Sequence, residues 1–89
     1  MQPADRIRDF LIEEAHWEGS RADLTDELQL IEERVIDSML LLRLVAWLES
    51  EYAITISDAD VVPRNFGSIE RISRLLTAKL DAKALQDGG

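Results

Sequence analysis

The chain has 89 residues, 46% of them hydrophobic, which is room for one small domain with one modest core. Its 18 carboxylates against 10 Lys and Arg give a net charge of −8. Such a surface repels phosphate backbones and anionic lipid, which argues against nucleic-acid binding and membrane insertion and favours basic protein partners. The absence of cysteine excludes a disulfide framework, a thiolate metal site and a cysteine nucleophile.

Residues 4–15 predict an amphipathic helix. Ile7, Phe10, Leu11 and Ala15 recur at helical spacing, Pro3 suits the first turn, and Asp5 favours the positive end of the helix dipole. Residues 1–9 lack the apolar run of a signal peptide, and no stretch reaches the roughly 20 apolar residues of a membrane span. The expectation is a monomer in the cytoplasm. Gly19 and Ser20 break the helix and open a long connection, 17–37. Leu24, Leu28, Leu30, Ile31, Val35 and Ile36 make that connection apolar enough to pack on the core, with a short helical turn as an option near 26–30.

Residues 38–52 give the strongest helical pattern. At about 100° per residue, Leu41, Leu44, Val45, Leu48 and Tyr52 share the predicted core face. Met39, Arg43, Ala46 and Ser50 point away, with Leu40 and Trp47 beside them. Asp37 is a good N-cap. Ile54 and Ile56 alternate as in a strand, but nothing else in the chain offers a partner strand, so 53–57 is read as extended loop. A short third helix is expected over 58–65, stopped at Pro63. A last helix runs from Ser68, its N-cap, to about residue 80, burying Ile69, Ile72, Leu75, Leu76 and Leu80. The predicted architecture is all-α: a small four-helix bundle over 1–80 with a long loop after the first helix, then a flexible tail over 81–89.

Enzymatic signals are poor. His16 is the one histidine, at a helix end and without thiols. Glu13-Glu14 and Glu32-Glu33 are adjacent pairs, which diverge on a helix and read as solvated. No Gly-rich phosphate loop and no Gly-x-Ser-x-Gly elbow is present. The chain reads as a non-catalytic protein.

By itself Asp37-Ser38-Met39 is only a helix start. In sequence it leads into Leu42, Leu44-Val45, Leu48-Glu49, Tyr52, Ile54 and Ile56, then Asn65-Phe66-Gly67-Ser68-Ile69. Over residues 7–80 this order and spacing resembles the acyl carrier protein family. Its signature is an Asp-Ser-Leu or Asp-Ser-Met triplet at the second helix, an aliphatic stripe, a Leu-Glu pair, an aromatic and an Ile-x-Ile segment. The resemblance implies that Ser38 carries 4′-phosphopantetheine, taken from coenzyme A, through a phosphodiester. It also implies that Asp37 helps the modifying transferase to hold Mg²⁺ or basic groups. A helix N-terminus suits an attached phosphate, and a thiol on the arm lets a cysteine-free protein carry thioesters. The implied partners are a phosphopantetheinyl transferase, a ligase or acyltransferase that loads an acyl or aminoacyl group, and a downstream synthase or transferase.

The chain departs from the family at Ser57, where many members have proline after the Ile-x-Ile segment. It departs more tellingly on the outer face of the second helix. Fatty-acid carriers set acidic residues there, whereas this chain has Met39, Leu40, Arg43 and Trp47. Those residues are expected to dock partners, with Trp47 alternatively covering the long loop. The triplet and the Asn65-Phe66 segment look closer to stand-alone carriers of specialised metabolism, such as polyketide, nonribosomal-peptide or antibiotic biosynthesis. A D-alanyl-carrier-like protein of the cell envelope and an unmodified interaction module are the alternatives.

Overall fold

Four segments become α-helices in the computed structural model, which describes residues 2–87: α1 (Pro3–Glu14), α2 (Ser38–Tyr52), α3 (Pro63–Phe66) and α4 (Ile69–Asp87). No strand occurs among the described residues, so the chain is the small helical bundle that its pattern predicts. α1 and α3 both pack against α4. Ile7 and Leu11 of α1 meet Leu44 and Leu48 of α2 and Ile69, Ile72 and Leu76 of α4 in one core, with Phe66 of α3 fully buried among them.

The long loop is a structural element rather than a tether. Leu24, Leu30 and Ile36 are buried in the core. Backbone bonds fix the segment to the α3–α4 junction: the Leu30 amide donates to the Gly67 carbonyl at 2.8 Å, and the Glu70 amide to the Asp26 carbonyl at 2.9 Å. Arg8 of α1 holds the other side, donating Nε to the Leu24 carbonyl at 2.8 Å and pairing with Asp5 and Asp26. Gly67 is required by close approach: a Cβ there would sit 2.6 Å from the Pro63 carbonyl oxygen. The loop's one 3₁₀ helix among the described residues is Arg21–Asp23, and near 26–30 the chain makes only single turns, the Leu28 amide donating to the Thr25 carbonyl at 3.3 Å and the Glu33 amide to the Gln29 carbonyl at 2.8 Å. Ser20 caps the 3₁₀ turn, its side chain accepting from the Asp23 amide.

The extended segment after α2 shows why Leu48 and Glu49 belong together. Ile54 and Ile56 are buried, and no neighbouring strand satisfies their backbone. For Ile56 the Glu49 carboxylate does so instead, accepting from its amide at 2.9 Å. Leu48 anchors the helix in the core while its neighbour holds the returning chain.

Two boundaries differ from expectation. Pro63 starts α3 rather than stopping a helix. Asp58–Asp60 forms a separate 3₁₀ turn, Val62 is extended as a residue before proline must be, and Pro63 takes the first helical position, where its missing N–H is harmless. α4 runs on to Asp87, so 81–87 is helix and not tail; 88 and 89 lie outside the described residues. The apolar stripe ends at Leu80, but Ala82, Lys83, Ala84, Leu85 and Gln86 are all good helix formers, and no Gly or Pro falls between Ile69 and Asp87.

Candidate functional site

The start of α2 is built by Asp37. Its backbone is extended, its side chain accepts from the Leu40 amide at 2.8 Å, and its carbonyl accepts the first intrahelical bond from Leu41 at 2.9 Å. The N-cap expectation for Asp37 holds, and it sets Ser38 as the first helical residue with an exposed side chain. Of the amides that a helix start leaves without an intrahelical partner, the Leu40 amide goes to the cap; those of Ser38 and Met39 are the next in line for an acceptor.

A groove of about 350 Å³ opens beside the Ser38 side chain, lined by Ile31, Arg34, Ile36, Asp37, Ser38 and Leu41. The turn that forms its outer wall ends at Arg34, whose φ of 59° is left-handed. The Val35 and Ile36 amides then return to the Leu30 carbonyl at 2.8 and 3.1 Å, which delivers the chain to Asp37. These residues fit a phosphate-linked arm on Ser38: an accessible hydroxyl, amides at a helix start, a guanidinium and an apolar floor. Among the described residues, no set of His, Cys, Asp and Glu side chains is arranged to hold a metal ion.

The four side chains expected on the docking face separate. Met39 is 75% exposed, as expected. Leu40 is a correction: it is 7% exposed and belongs to the core with Leu44 and Leu48. α2 is rotated by roughly 50°, half of a residue's ~100° step, from the face drawn from the sequence. Leu41, Val45 and Tyr52 therefore sit at the core's margin, half-buried.

Trp47 faces neither solvent alone nor the long loop. It stacks on Phe10 of α1 with ring centroids 4.9 Å apart and meets Tyr52 edge-on at 6.3 Å. The Arg6 guanidinium lies 5.9 Å from the Trp47 ring and 5.2 Å from that of Tyr52. Arg6 also pairs with Glu51, and that bond, foremost among its contacts, holds the guanidinium above its ordinary pKa. Arg43 is exposed, but its charge is matched by Glu14 of α1 at 3.2 Å. Trp47 and Arg43 thus join α1 to α2.

Sequence reasoning missed Leu42, which is 69% exposed one turn beyond Ser38, and Ile31, which stands at the rim of the groove. The signal for Leu42 was present in its spacing from Ser38, since residues four apart share a helix face. Met39, Leu42 and Ile31 are exposed apolar side chains at the same end of the molecule as Ser38.

No family model matches the chain, and no curated protein matches its sequence.

Proposed function

We propose that the protein is a carrier, which holds an acyl or aminoacyl group as a thioester on 4′-phosphopantetheine attached to Ser38 and presents it to separate enzymes. The observation that carries this reading is the setting of Ser38: an exposed hydroxyl in the first turn of α2, behind a fixed Asp37 cap and beside an apolar groove. Transfer from coenzyme A joins Ser38 Oγ to the phosphorus of the pantetheine phosphate. The anhydride bond breaks, adenosine 3′,5′-bisphosphate leaves, and the hydroxyl proton passes to a base of the transferase. Ser38 needs no activation of its own, in keeping with the lack of a histidine or second carboxylate lining the groove with it.

The arm supplies the thiol at which cargo is exchanged. This chain's own part is to fix the attachment point on a rigid helix and to offer Met39 and Leu42 to the enzymes that reach Ser38. We read it as a cytoplasmic, monomeric carrier of specialised metabolism, met by a phosphopantetheinyl transferase, a loading ligase or acyltransferase, and a downstream synthase. No described helix is long and apolar enough to cross a membrane.

Incubation with a broad-specificity phosphopantetheinyl transferase and coenzyme A should add the mass of one phosphopantetheine to the intact protein. Ser38→Ala should keep the helical spectrum and gain nothing. Modification that persists in the mutant would place the site elsewhere. A wild-type protein that takes no mass under conditions where a control carrier does would leave an unmodified docking module.

A further inference from the structure

The groove at Ser38 has a polarity of its own. Ile36 and Leu41 give it an apolar floor and Ile31 an apolar rim, and Arg34 is the one cation lining it. The one carboxylate there, Asp37, is turned to the Leu40 amide. Elsewhere six of this acidic chain's cations bind carboxylates: Arg6 to Glu51, Arg8 to Asp5 and Asp26, Arg21 to Asp9, Arg43 to Glu14, Arg74 to Glu70 and Lys79 to Asp60. Arg64, Arg71 and Lys83 make no ion pair among the described residues, but they do not line the groove. Arg34 is exposed and makes no ion pair among the described residues. It occupies a left-handed backbone position that glycine would hold at less cost.

We infer that this groove seats the proximal half of the arm, with the Arg34 guanidinium pairing with the phosphodiester on Ser38 and the branched apolar segment that follows lying on Ile31, Ile36 and Leu41. The inference rests on the carrier reading. Charge complementarity selects this occupant: an anion is bonded to Ser38 itself, and its continuation is apolar, as the groove is. Guanidinium groups match phosphate oxygens with paired N–H donors, which a lysine reproduces only as a point charge. A seated arm also removes apolar surface from water, so modification stabilises the fold rather than leaving it indifferent. Arg34 is then a positioning residue, which restrains the arm between visits to enzymes.

The test uses the full chain, modified on Ser38 by a broad-specificity transferase with coenzyme A and checked by intact mass. In the modified wild type, nuclear Overhauser contacts should join the geminal methyl groups of the arm to Ile31, Ile36 and Leu41. The modified protein should melt at a higher temperature than the unmodified one, by a margin that shrinks as salt screens the ion pair. Arg34→Gly should raise the melting temperature of the unmodified protein by relieving the left-handed strain. It should also shift the ³¹P resonance of the modified form and abolish the gain on modification. Arg34→Lys should keep part of that gain. A wild type that is modified but shows none of the methyl contacts, with an equal melting gain in Arg34→Gly, overturns the inference and leaves the carrier reading intact. Failure of the wild type to gain mass at Ser38 overturns both.

Discussion

Helix α2 is apolar on nearly all sides, and the fold treats two of those sides differently. Toward α1 the helix is sealed: Trp47 stacks on Phe10, Tyr52 closes the edge, Arg6 lies over both rings, and Arg43 reaches Glu14. On the side of Ser38, Met39 and Leu42 stand in solvent and Leu41 borders a groove. The chain is not short of material to cover apolar surface, since its long loop buries Leu24, Leu30 and Ile36 elsewhere. The difference teaches that exposure at Ser38 is local. An isolated leucine in solvent means little; a methionine and a leucine flanking an accessible serine, beside a groove, are the feature on which the docking proposal rests.

The sharpest way to break this comparison is to truncate leucines from the two sides. Leu40→Ala removes a core side chain from a helix held on several fronts, and should cost about 2–5 kcal/mol in chemical denaturation. For a domain of this size that is a large share of its total of about 5–15 kcal/mol. A cost below about 0.5 kcal/mol would return Leu40 to the outer face. Next comes the backbone that α2 serves. Glu49→Ala leaves the Ile56 amide without its acceptor and should cost about 1–3 kcal/mol. Hydrogen exchange at the Ile56 amide should quicken in this mutant, and unchanged protection there would show that the carboxylate is dispensable.

The seal with α1 is expected to show smaller, pairwise effects. In a double-mutant cycle with Phe10→Ala and Trp47→Ala, the coupling should be about 0.5–1.5 kcal/mol, the value of a stacked pair beyond its area. Additive losses would mean that each ring packs on the core alone. The same cycle decides whether Trp47 is available for docking, because a ring coupled to Phe10 cannot leave it without that loss.

How far the sequence discloses all this depends on whether local chemistry or packing decides. The three longer helices were legible from their spacing. Asp37 was legible as a cap because an N-cap acts within its own turn; Ser68 was legible likewise, its hydroxyl accepting from the Arg71 amide at 3.2 Å. The rotation of α2 was not. From Met39 to Leu48 only Arg43 is charged, so periodicity permits several core faces and the choice falls to packing partners such as Phe10, which meets the helix from a distant part of the chain. Leu40 moves from the outer face into the core on that choice alone. Pro63 misled for a different reason: proline ends helices and also begins them, and the Asp60 carboxylate helps settle which. It caps the preceding turn, accepting from the Ser57 amide and hydroxyl at 3.0 Å, so that turn closes before the proline. Lys79 bonds the same carboxylate and, with Ser57, lowers its pKa to about 2.

The smallest effect on stability should accompany the most telling one on function. Leu42 is largely exposed, so Leu42→Ala should change unfolding free energy by less than about 0.5 kcal/mol. Yet Leu42 follows Ser38 by one helical turn, on the same side of α2, and an enzyme that brings its reacting groups to the Ser38 hydroxyl must cover it. Under about a third of interface residues cost more than about 1 kcal/mol on truncation, and those cluster near the centre of the interface, which for an enzyme reaching Ser38 includes Leu42; about 1.4 kcal/mol is tenfold in affinity. The kcat/KM of phosphopantetheinyl transfer to Ser38 should accordingly fall by about tenfold in Leu42→Ala, with the larger part in KM, because the side chain touches the enzyme and not the reacting phosphorus. Ala46→Ser, an exposed change on the same helix farther from Ser38, should transfer at the wild-type rate. If Leu42→Ala is destabilised by more than 2 kcal/mol, the residue is part of the fold and the two sides of α2 are not distinct. If it is stable and modified at full speed, the exposed apolar surface beside Ser38 is not where the transferase docks.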